Sequence, residues 1–267
     1  MKSFDEIFAA ARKMGPKRLA VAGPPNEELI DALAQAKSDG IAEALSFADA
    51  PAAVAAVKDG RADALMKGSV DTPTFMQAVL DREKGLRSGN LLSHVAVVEA
   101  MGRLLLITDG GIVLNPTLEE KAKIIANAVV IAKGLGIEMP KVAVLAAVEK
   151  ENPKMPETVD AGALSRMTWS GCVVQGPLAV DNAVSLEAAK AKGIAGPVAG
   201  RADILLVPSV LVGNIFAKGI MYFAECRFGG VVAGTTRPVM FLSRSDTAEA
   251  KLNTIALGVL LSERGAQ

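Results

Sequence analysis

A serine and an arginine that follow a short apolar segment are well suited to hold an anion. The segment 238–242 is followed by Ser243, Arg244, Ser245 and Asp246, and apolar residues then recur at helical spacing over 247–262. This pattern predicts a strand that leads directly into a helix, with Asp246 and Glu249 as a variant capping box. Free backbone N–H groups at a helix start, beside an arginine, favour a phosphate-like or sulfate-like group. The alternative is an ordinary helix cap with Arg244 in solvent.

A second loop of the same kind contains Lys67, Gly68 and Ser69. It follows a predicted strand at 63–66 and precedes a predicted helix at 73–82. A cation, a flexible glycine and a hydroxyl just before a helix again suit an anion. The loop is not a Walker P-loop, because its lysine precedes a single glycine. A solvated lysine at a strand end is the alternative interpretation.

Other predicted strands are also followed by polar or glycine-containing loops. The candidate substrate-binding residues that follow these strands are Gly176, Pro177, Asp181, Asn182, Gly213, Asn214 and Lys218. Arg87 is a further candidate, in a flexible polar loop before the apolar run 95–98, and it could close over a ligand. Glycines beside Asp or Asn permit a close approach of the backbone to a ligand, although the same residues commonly begin helices. Open α/β sheets bind ligands at the carboxyl ends of their strands, so these loops are candidate binding loops.

The elements that must position these loops alternate along the chain. Strands are predicted at 18–22, 43–47, 63–66, 141–147, 172–175, 203–207, 231–234 and 238–242. Helices are predicted near 3–14, 26–38, 51–59, 73–82, 117–135, 182–192, 213–226 and 247–262. This alternation predicts an α/β fold with largely parallel sheets and flanking helices.

One segment departs from the alternation and suggests a division into two lobes. The apolar runs 95–98 and 104–107 are close enough in sequence to favour an antiparallel hairpin. We expect the hairpin to join lobe I, which comprises 1–103 and 243–267, to lobe II, which comprises 104–242.

The composition limits the class of partner. Lys+Arg and Asp+Glu both number 29, so no overall field attracts nucleic acid or a membrane surface. The two cysteines lie far apart and the single histidine, His94, begins a predicted strand, so we expect no zinc site, no disulfide framework and no bound metal. No signal peptide or membrane-spanning run is recognised, and a cytoplasmic protein is expected.

Six motifs, taken together and in order, resemble the phosphate acetyl/butyryltransferase family. They lie at 65–68, 115–116, 152–156, 176–183, 213–214 and 243–244. The stretch Gly-Pro-Leu-Ala followed by Asp-Asn-Ala is more similar to the butyryltransferase branch than to the phosphate acetyltransferases.

The resemblance implies transfer of a short acyl group between coenzyme A and phosphate, with acyl phosphate as the other product. It implies a fold similar to that of isocitrate and isopropylmalate dehydrogenases, a cleft between two lobes and a homodimer. Coenzyme A would be a substrate, with no bound cofactor. By this similarity Ser243 and Arg244 would contact the phosphate and the developing oxyanion, while Asp246 or Glu249 would act as the base for the thiol.

Three alternatives stay open at this point. A phosphate acetyltransferase has the same chemistry with a shorter acyl group. A metal- and NAD-dependent hydroxy-acid dehydrogenase shares the implied fold, because fold alone does not fix function. A non-catalytic anion-binding protein would use the same basic loops. Independently of these, the predicted helix after Gly213 is apolar on more than one face, which favours a subunit contact.

Overall fold

The computed structural model describes residues 1–264 and contains alternating strands and helices. The strands are β1 (Lys17–Ala22), β2 (Ala42–Phe47), β3 (Ala64–Lys67), β4 (Ser93–Ala100), β5 (Arg103–Thr108), β6 (Lys141–Leu145), β7 (Val173–Leu178), β8 (Ile204–Leu206), β9 (Arg227–Ala233) and β10 (Val239–Met240). The helices are α1 (Phe4–Lys13), α2 (Glu27–Ser38), α3 (Ala50–Lys58), α4 (Thr72–Leu80), α5 (Leu118–Gly134), α6 (Pro156–Arg166), α7 (Val180–Val184), α8 (Leu186–Ala191), α9 (Val210–Phe223) and α10 (Ala248–Arg264).

The chain divides into two compact units whose boundaries differ from the predicted lobes. Unit 1 comprises Met1–Asn90 and the chain from Arg227 onward, and unit 2 comprises Leu91–Cys226. The predicted boundaries at 103 and 242 differ from the observed ones at 90 and 226. The first separated the two strands of the β4–β5 hairpin, which are paired along their length. The second separated β10 from β3, its parallel neighbour.

Unit 1 is built on strands in the order β2-β1-β3-β10-β9. The first four are parallel, and β9 runs antiparallel to β10. All of β3 is buried, as expected for a parallel strand covered by helices on both faces. Helix α10 contacts β9, α1 and α2, and buries Ile255, Leu257 and Leu260.

Unit 2 has strands in the order β4-β5-β8-β6-β7. Strands β5, β8, β6 and β7 are parallel, and β4 is antiparallel to β5. Helix α5 packs on β4, β5 and β8, whereas α6 packs on β6 and β7. Each unit is thus an α/β unit with a mostly parallel set of strands, which confirms the predicted fold class. Within residues 1–264, no helix has both the length and the apolar content to cross a membrane.

The predicted elements are largely confirmed, and the main differences concern the helices of unit 2. The predicted helix at 182–192 is two helices, because Ser185 ends α7 and its hydroxyl accepts from the Ala188 N–H at the start of α8. Helix α6 was not predicted; it begins with Pro156 and has no side-chain cap. Helix α9 ends at Phe223 and Arg227 begins β9, so the apolar helix is shorter than expected at its carboxyl end.

Candidate functional site

The two predicted anion loops meet in one small pocket of unit 1. Strands β3 and β10 are parallel neighbours, with Met66 paired to Met240, so the loops that follow them leave the sheet at the same edge. The pocket has a volume of about 40 Å³. Its lining includes the predicted residues Lys67, Gly68, Ser69, Ser243 and Arg244, together with Asn26 and Lys251. Its size suits a compact anion.

The Lys67 ammonium lies against backbone oxygens at this pocket. The residue is only 6% exposed, and Nζ donates to the carbonyl oxygens of Val70 at 2.9 Å and Gly68 at 3.3 Å. Burial lowers the pKa of Lys67, and repulsion from Arg244 and Lys251 lowers it further, whereas Asp71 opposes the shift. The pocket thus concentrates positive charge that a bound anion would stabilise.

Gly68 is required by close backbone packing. A Cβ atom at this position would lie 2.6 Å from the carbonyl oxygen of Gly23 and 2.7 Å from that of Ala22. Both oxygens belong to the end of β1 and the loop after it. The absence of a side chain therefore lets the Lys67 loop lie directly on its neighbour, which fixes the lysine in place.

Ser243 and Arg244 lie in a turn that precedes helix α10. The Ser243 N–H donates to Asp246 Oδ2 at 2.8 Å, and the Asp246 N–H donates to the Ser243 carbonyl at 3.2 Å. The helix begins only at Ala248, where the Thr247 hydroxyl accepts from the Ala250 N–H. The predicted capping box of Asp246 and Glu249 is therefore wrong. The buried Asp246 carboxylate closes the turn instead of capping the helix.

The two candidate bases occupy different surroundings. Asp246 is 8% exposed and holds the backbone of Ser243. The Glu249 side chain is 63% exposed and pairs with Arg227 Nε at 3.2 Å. Neither carboxylate belongs to the lining of the small pocket.

Arg87 lies elsewhere in unit 1. It forms an isolated bridge with Thr235 and lines a more open cavity of about 490 Å³ together with Lys58, Arg82 and Arg237. This cavity is basic, and the exposed Arg87 is thus separate from the residues that line the small pocket.

In unit 2, Asp181 and Asn182 belong to a network of charged and polar groups. Lys192 Nζ lies 2.9 Å from Asp181 Oδ2 and 2.8 Å from Glu149 Oε1. The Asn182 amide donates to the same Glu149 oxygen at 2.6 Å, and Asn182 is fully buried. Hydrogen bonds from the Lys192 ammonium are the main cause of the lowered pKa of both carboxyl groups. The buried Asn182 therefore ties α7 to Glu149, whereas Asp181 of the same helix remains exposed.

Gly176 and Pro177 lie within β7 and not in a loop after it. The predicted strand ended at 175, but the observed strand continues to Leu178. The Gly176 carbonyl accepts from Ser165 Oγ at 2.9 Å, and a Cβ atom on Gly176 would approach Val144 to 2.8 Å. A glycine is thus needed at position 176 because α6 and β6 pack closely against β7 there.

Gly213, Asn214 and Lys218 lie on α9, which begins earlier than predicted, at Val210. Asn214 Nδ2 donates to the Gly110 carbonyl at 3.4 Å, and Lys218 is half-buried. The loop that α9 contacts is held by the buried Asp109 carboxylate, which accepts from the N–H groups of Gly111, Ile112 and Val113 at 2.7, 3.0 and 3.1 Å. Gly213 and Asn214 are therefore close to the end of β5.

Replacing Gly213 with alanine should destabilise the protein by about 1–3 kcal/mol through overpacking. A Cβ atom there would lie 2.7 Å from the Asp109 carbonyl oxygen and 2.8 Å from Val207 Cγ2. Gly219→Ala is the matched control in the same helix, because its Cβ would meet only Phe223 at 4.0 Å. Thermal unfolding should show a loss for Gly213→Ala and a small gain for Gly219→Ala from helix propensity. Equal stability of the two variants would contradict the packing argument.

Sequence reasoning missed two residues of the small pocket, Asn26 and Lys251. Asn26 caps α2 by accepting from the Leu29 N–H, which is an ordinary helix-start signal. Lys251 is almost buried in α10 and lies four positions before the buried Ile255. The sequence did contain a signal for Lys251, because a lysine on the apolar face of a predicted helix is unusual and suggests a specific role.

The motifs at 115–116 and 152–156 also meet in unit 2. Asn115, Pro116 and Pro156 line a cavity of about 490 Å³ that also contacts the ion pair of Lys121 and Asp160. Over residues 1–264, no three or more His, Cys, Asp or Glu side chains are grouped so that they could hold a metal ion.

An α/β fold with a small cationic pocket at the carboxyl edge of its strands defines a class of protein that binds an anionic substrate. Residues 27–259 match the family described as phosphate acetyl/butaryl transferase. The chain belongs to this family of acyltransferase enzymes.

Individual relatives match over nearly their whole length. The phosphate butyryltransferase of Clostridium acetobutylicum is 42% identical, over 98% of this chain and 99% of the relative. The phosphate acetyltransferase of Thermotoga maritima is 37% identical, over 97% of this chain and 99% of the relative. The crystal structure of a branched-chain phosphotransacylase from Enterococcus faecalis superposes with a TM-score of 0.86 and 32% identity, over 93% of this chain and 99% of that one.

Proposed function

We propose that this protein transfers a butyryl or branched short-chain acyl group between coenzyme A and phosphate. The observation that carries the proposal is the small pocket that joins Lys67, Ser243 and Arg244 in unit 1. Two cations and a hydroxyl group around a compact space are suited to inorganic phosphate. The family and the named relatives support the acyl group as the other substrate.

In the proposed reaction a phosphate oxygen attacks the carbonyl carbon of the thioester. The carbonyl oxygen gains negative charge, the C–S bond then breaks, and the coenzyme A sulfur leaves as a thiolate that takes up a proton. Arg244 and Lys67 hold the phosphate, and Ser243 Oγ donates to the developing oxyanion. Groups fixed in advance stabilise this charge most effectively. No covalent intermediate with the enzyme is needed, because orientation of both substrates supplies much of the rate.

In the reverse direction the coenzyme A thiol must lose its proton, since the thiolate is the nucleophile. Asp246 and Glu249 are the two carboxylates considered for this step. The hydrogen bond from Ser243 to Asp246 supports a positioning role for Asp246, whereas the exposed Glu249 is already paired with Arg227. We therefore propose that Asp246 positions the turn that contains Ser243, and that Glu249 or solvent accepts the proton of the coenzyme A thiol.

The other candidate substrate-binding residues fall into two groups. Arg87, Asp181 and Asn214 have exposed side chains and Lys218 is half-buried, so these four are proposed to reach the substrates. The remaining candidates, Gly68, Ser69, Gly176, Pro177, Asn182 and Gly213, are proposed to shape the backbone around them.

The test is phosphate-dependent release of thiol from acetyl-, propionyl-, butyryl- and isobutyryl-CoA, measured with a thiol reagent. We expect butyryl- or isobutyryl-CoA to give the highest kcat/KM. Fastest reaction with acetyl-CoA would favour the phosphate acetyltransferase alternative. No release from any of the four would overturn the proposal, and NAD reduction by a hydroxy acid would support the dehydrogenase.

A homodimer and a cytoplasmic location form part of the same proposal. Helix α9 exposes large apolar side chains, among them Leu211 at 66%, Ile215 at 64% and Phe223 at 93%, which suits contact with a second copy. Both cysteines are free, as expected in a reducing compartment. Sedimentation equilibrium should give twice the mass of one chain. A likeness of fold to isocitrate and isopropylmalate dehydrogenases is also proposed, supported by the mostly parallel strands of each unit.

A further inference from the structure

Lys251 places a buried ammonium group directly beneath the Ser243–Arg244 turn. Its side chain is 5% exposed. Nζ donates to the Asp246 carbonyl oxygen at 2.6 Å and to the Arg244 carbonyl oxygen at 3.5 Å. Burial of a lysine is unfavourable unless its hydrogen bonds are satisfied, and here the backbone of the turn satisfies them. The lysine therefore ties the turn to helix α10.

The same turn is held from a second side by α2. Asn26 Nδ2 donates to the Arg244 carbonyl at 3.5 Å and also contacts Glu28. Glu28 Oε2 lies 3.7 Å from Lys251 Nζ, but its side chain is 47% exposed. The Arg244 carbonyl thus receives two long contacts, one from α2 and one from α10, and the short hydrogen bond that ties the turn to α10 is the one from Lys251 to the Asp246 carbonyl.

The Lys251 ammonium contacts both carbonyl oxygens and a carboxylate. Two of its partners are neutral carbonyl groups, and the third is a carboxylate that water screens. Lys251 also lines the small pocket, where its positive charge acts on Lys67 together with that of Arg244. An anion in the pocket would therefore meet three positive charges.

We propose that Lys251 is a positioning residue for phosphate transfer, which fixes the Ser243–Arg244 turn and adds a third positive charge to the phosphate pocket. This inference rests on the proposed function. Small displacements of groups that orient a substrate lower the rate strongly, so the effect should be seen in kcat as well as in KM. A lysine that merely completed the core would change stability alone.

The test compares Lys251→Met, Lys251→Gln and Lys251→Arg with the wild type. In Lys251→Met we expect the KM for phosphate to rise and kcat to fall, each roughly tenfold, because a charge-assisted hydrogen bond is lost. Lys251→Gln retains a donor without the charge, so its kcat should exceed that of Lys251→Met while its KM stays high. Lys251→Arg should restore most of the phosphate affinity.

Lys17→Met is the matched control, because it removes an ammonium that pairs with Glu263 on the same helix, α10. It should leave both kinetic constants unchanged. Unchanged constants in a folded Lys251→Met or Lys251→Gln variant would overturn the inference. If the first variant does not fold, the second decides.

Stabilisation by inorganic phosphate separates this inference from the proposed function. Phosphate should raise the melting temperature of the wild type and of Lys17→Met, and should raise that of Lys251→Gln much less. An inactive wild type with this pattern would sink the proposed reaction while supporting the role of Lys251 at an anion site. Equal stabilisation of the wild type and Lys251→Gln would contradict that role.

Discussion

Arg244→Ala should lower kcat/KM for phosphate-dependent thiol release by roughly a hundredfold or more, as expected for loss of a group that stabilises transition-state charge. Arg244 lines the small pocket and lies in a turn that Lys251 ties to α10. Its fixed fork of donors matches two oxygens of a phosphoryl group. The rate should be measured with butyryl-CoA over a series of phosphate concentrations.

Two further variants test whether the effect is specific to the Arg244 guanidinium: the conservative change Arg244→Lys and the control Arg12→Ala. Lysine retains the charge but loses the bidentate geometry, so Arg244→Lys should fall between the wild type and the alanine variant. Arg12 is an exposed arginine of α1 that pairs with Asp39, and Arg12→Ala should behave as the wild type. Turnover of Arg244→Ala within a fewfold of the wild type would remove Arg244 from the proposed reaction.

Lys67→Met should raise the KM for phosphate by about ten- to a hundredfold, which corresponds to the loss of a charge-assisted contact. Methionine fills similar space but cannot donate to the Gly68 and Val70 carbonyls, so the melting temperature of the variant should be measured beside its KM. Lys37→Met is the control, since Lys37 is an exposed lysine in the last turn of α2. A Lys67→Met variant with the wild-type KM would show that the ammonium does not bind phosphate.

The lowered pKa of Lys67 leads us to expect that phosphate binding depends on pH. Burial and neighbouring cations lower its pKa below the ordinary value of 10.5, so the ammonium loses its proton at a lower pH than an exposed lysine does. The KM for phosphate should therefore rise as the pH increases through the lowered pKa, and Lys67→Met should abolish this rise. Without phosphate the folded state binds fewer protons at Lys67 than the unfolded state does, so this residue's contribution to stability increases with pH over the same window.

Local sequence patterns predicted both anion loops but could not show that they meet. Lys67 ends strand β3 and Arg244 follows strand β10, yet their proximity depends on the insertion of β10 between β3 and β9. Strand order is a property of the whole chain. Only the resemblance to a family implied that the two loops form one site. The periodicity of the sequence did not indicate it.

The prediction of the site was wrong in detail where two neighbouring residues could both cap the same helix. Asp246 and Thr247 are adjacent and both are good helix caps. The structure uses Thr247 as the cap and turns Asp246 back to Ser243, a choice that follows from the burial of the aspartate. Helix α6 was missed because it carries a glycine, Gly162, and lacks a side-chain cap at its start.

The division of unit 1 along the chain has a consequence for biosynthesis. The polypeptide leaves unit 1 at Asn90 and returns at Arg227, so all of unit 2 is translated before β10 and α10 exist. Unit 2 is one uninterrupted stretch and can begin to fold on the ribosome, whereas the first ninety residues lack β9, β10 and α10 until the chain from Arg227 onward is made. The small pocket is thus among the last parts of a nascent enzyme to form, and a chain stalled before Ser243 would carry Lys67 without Arg244.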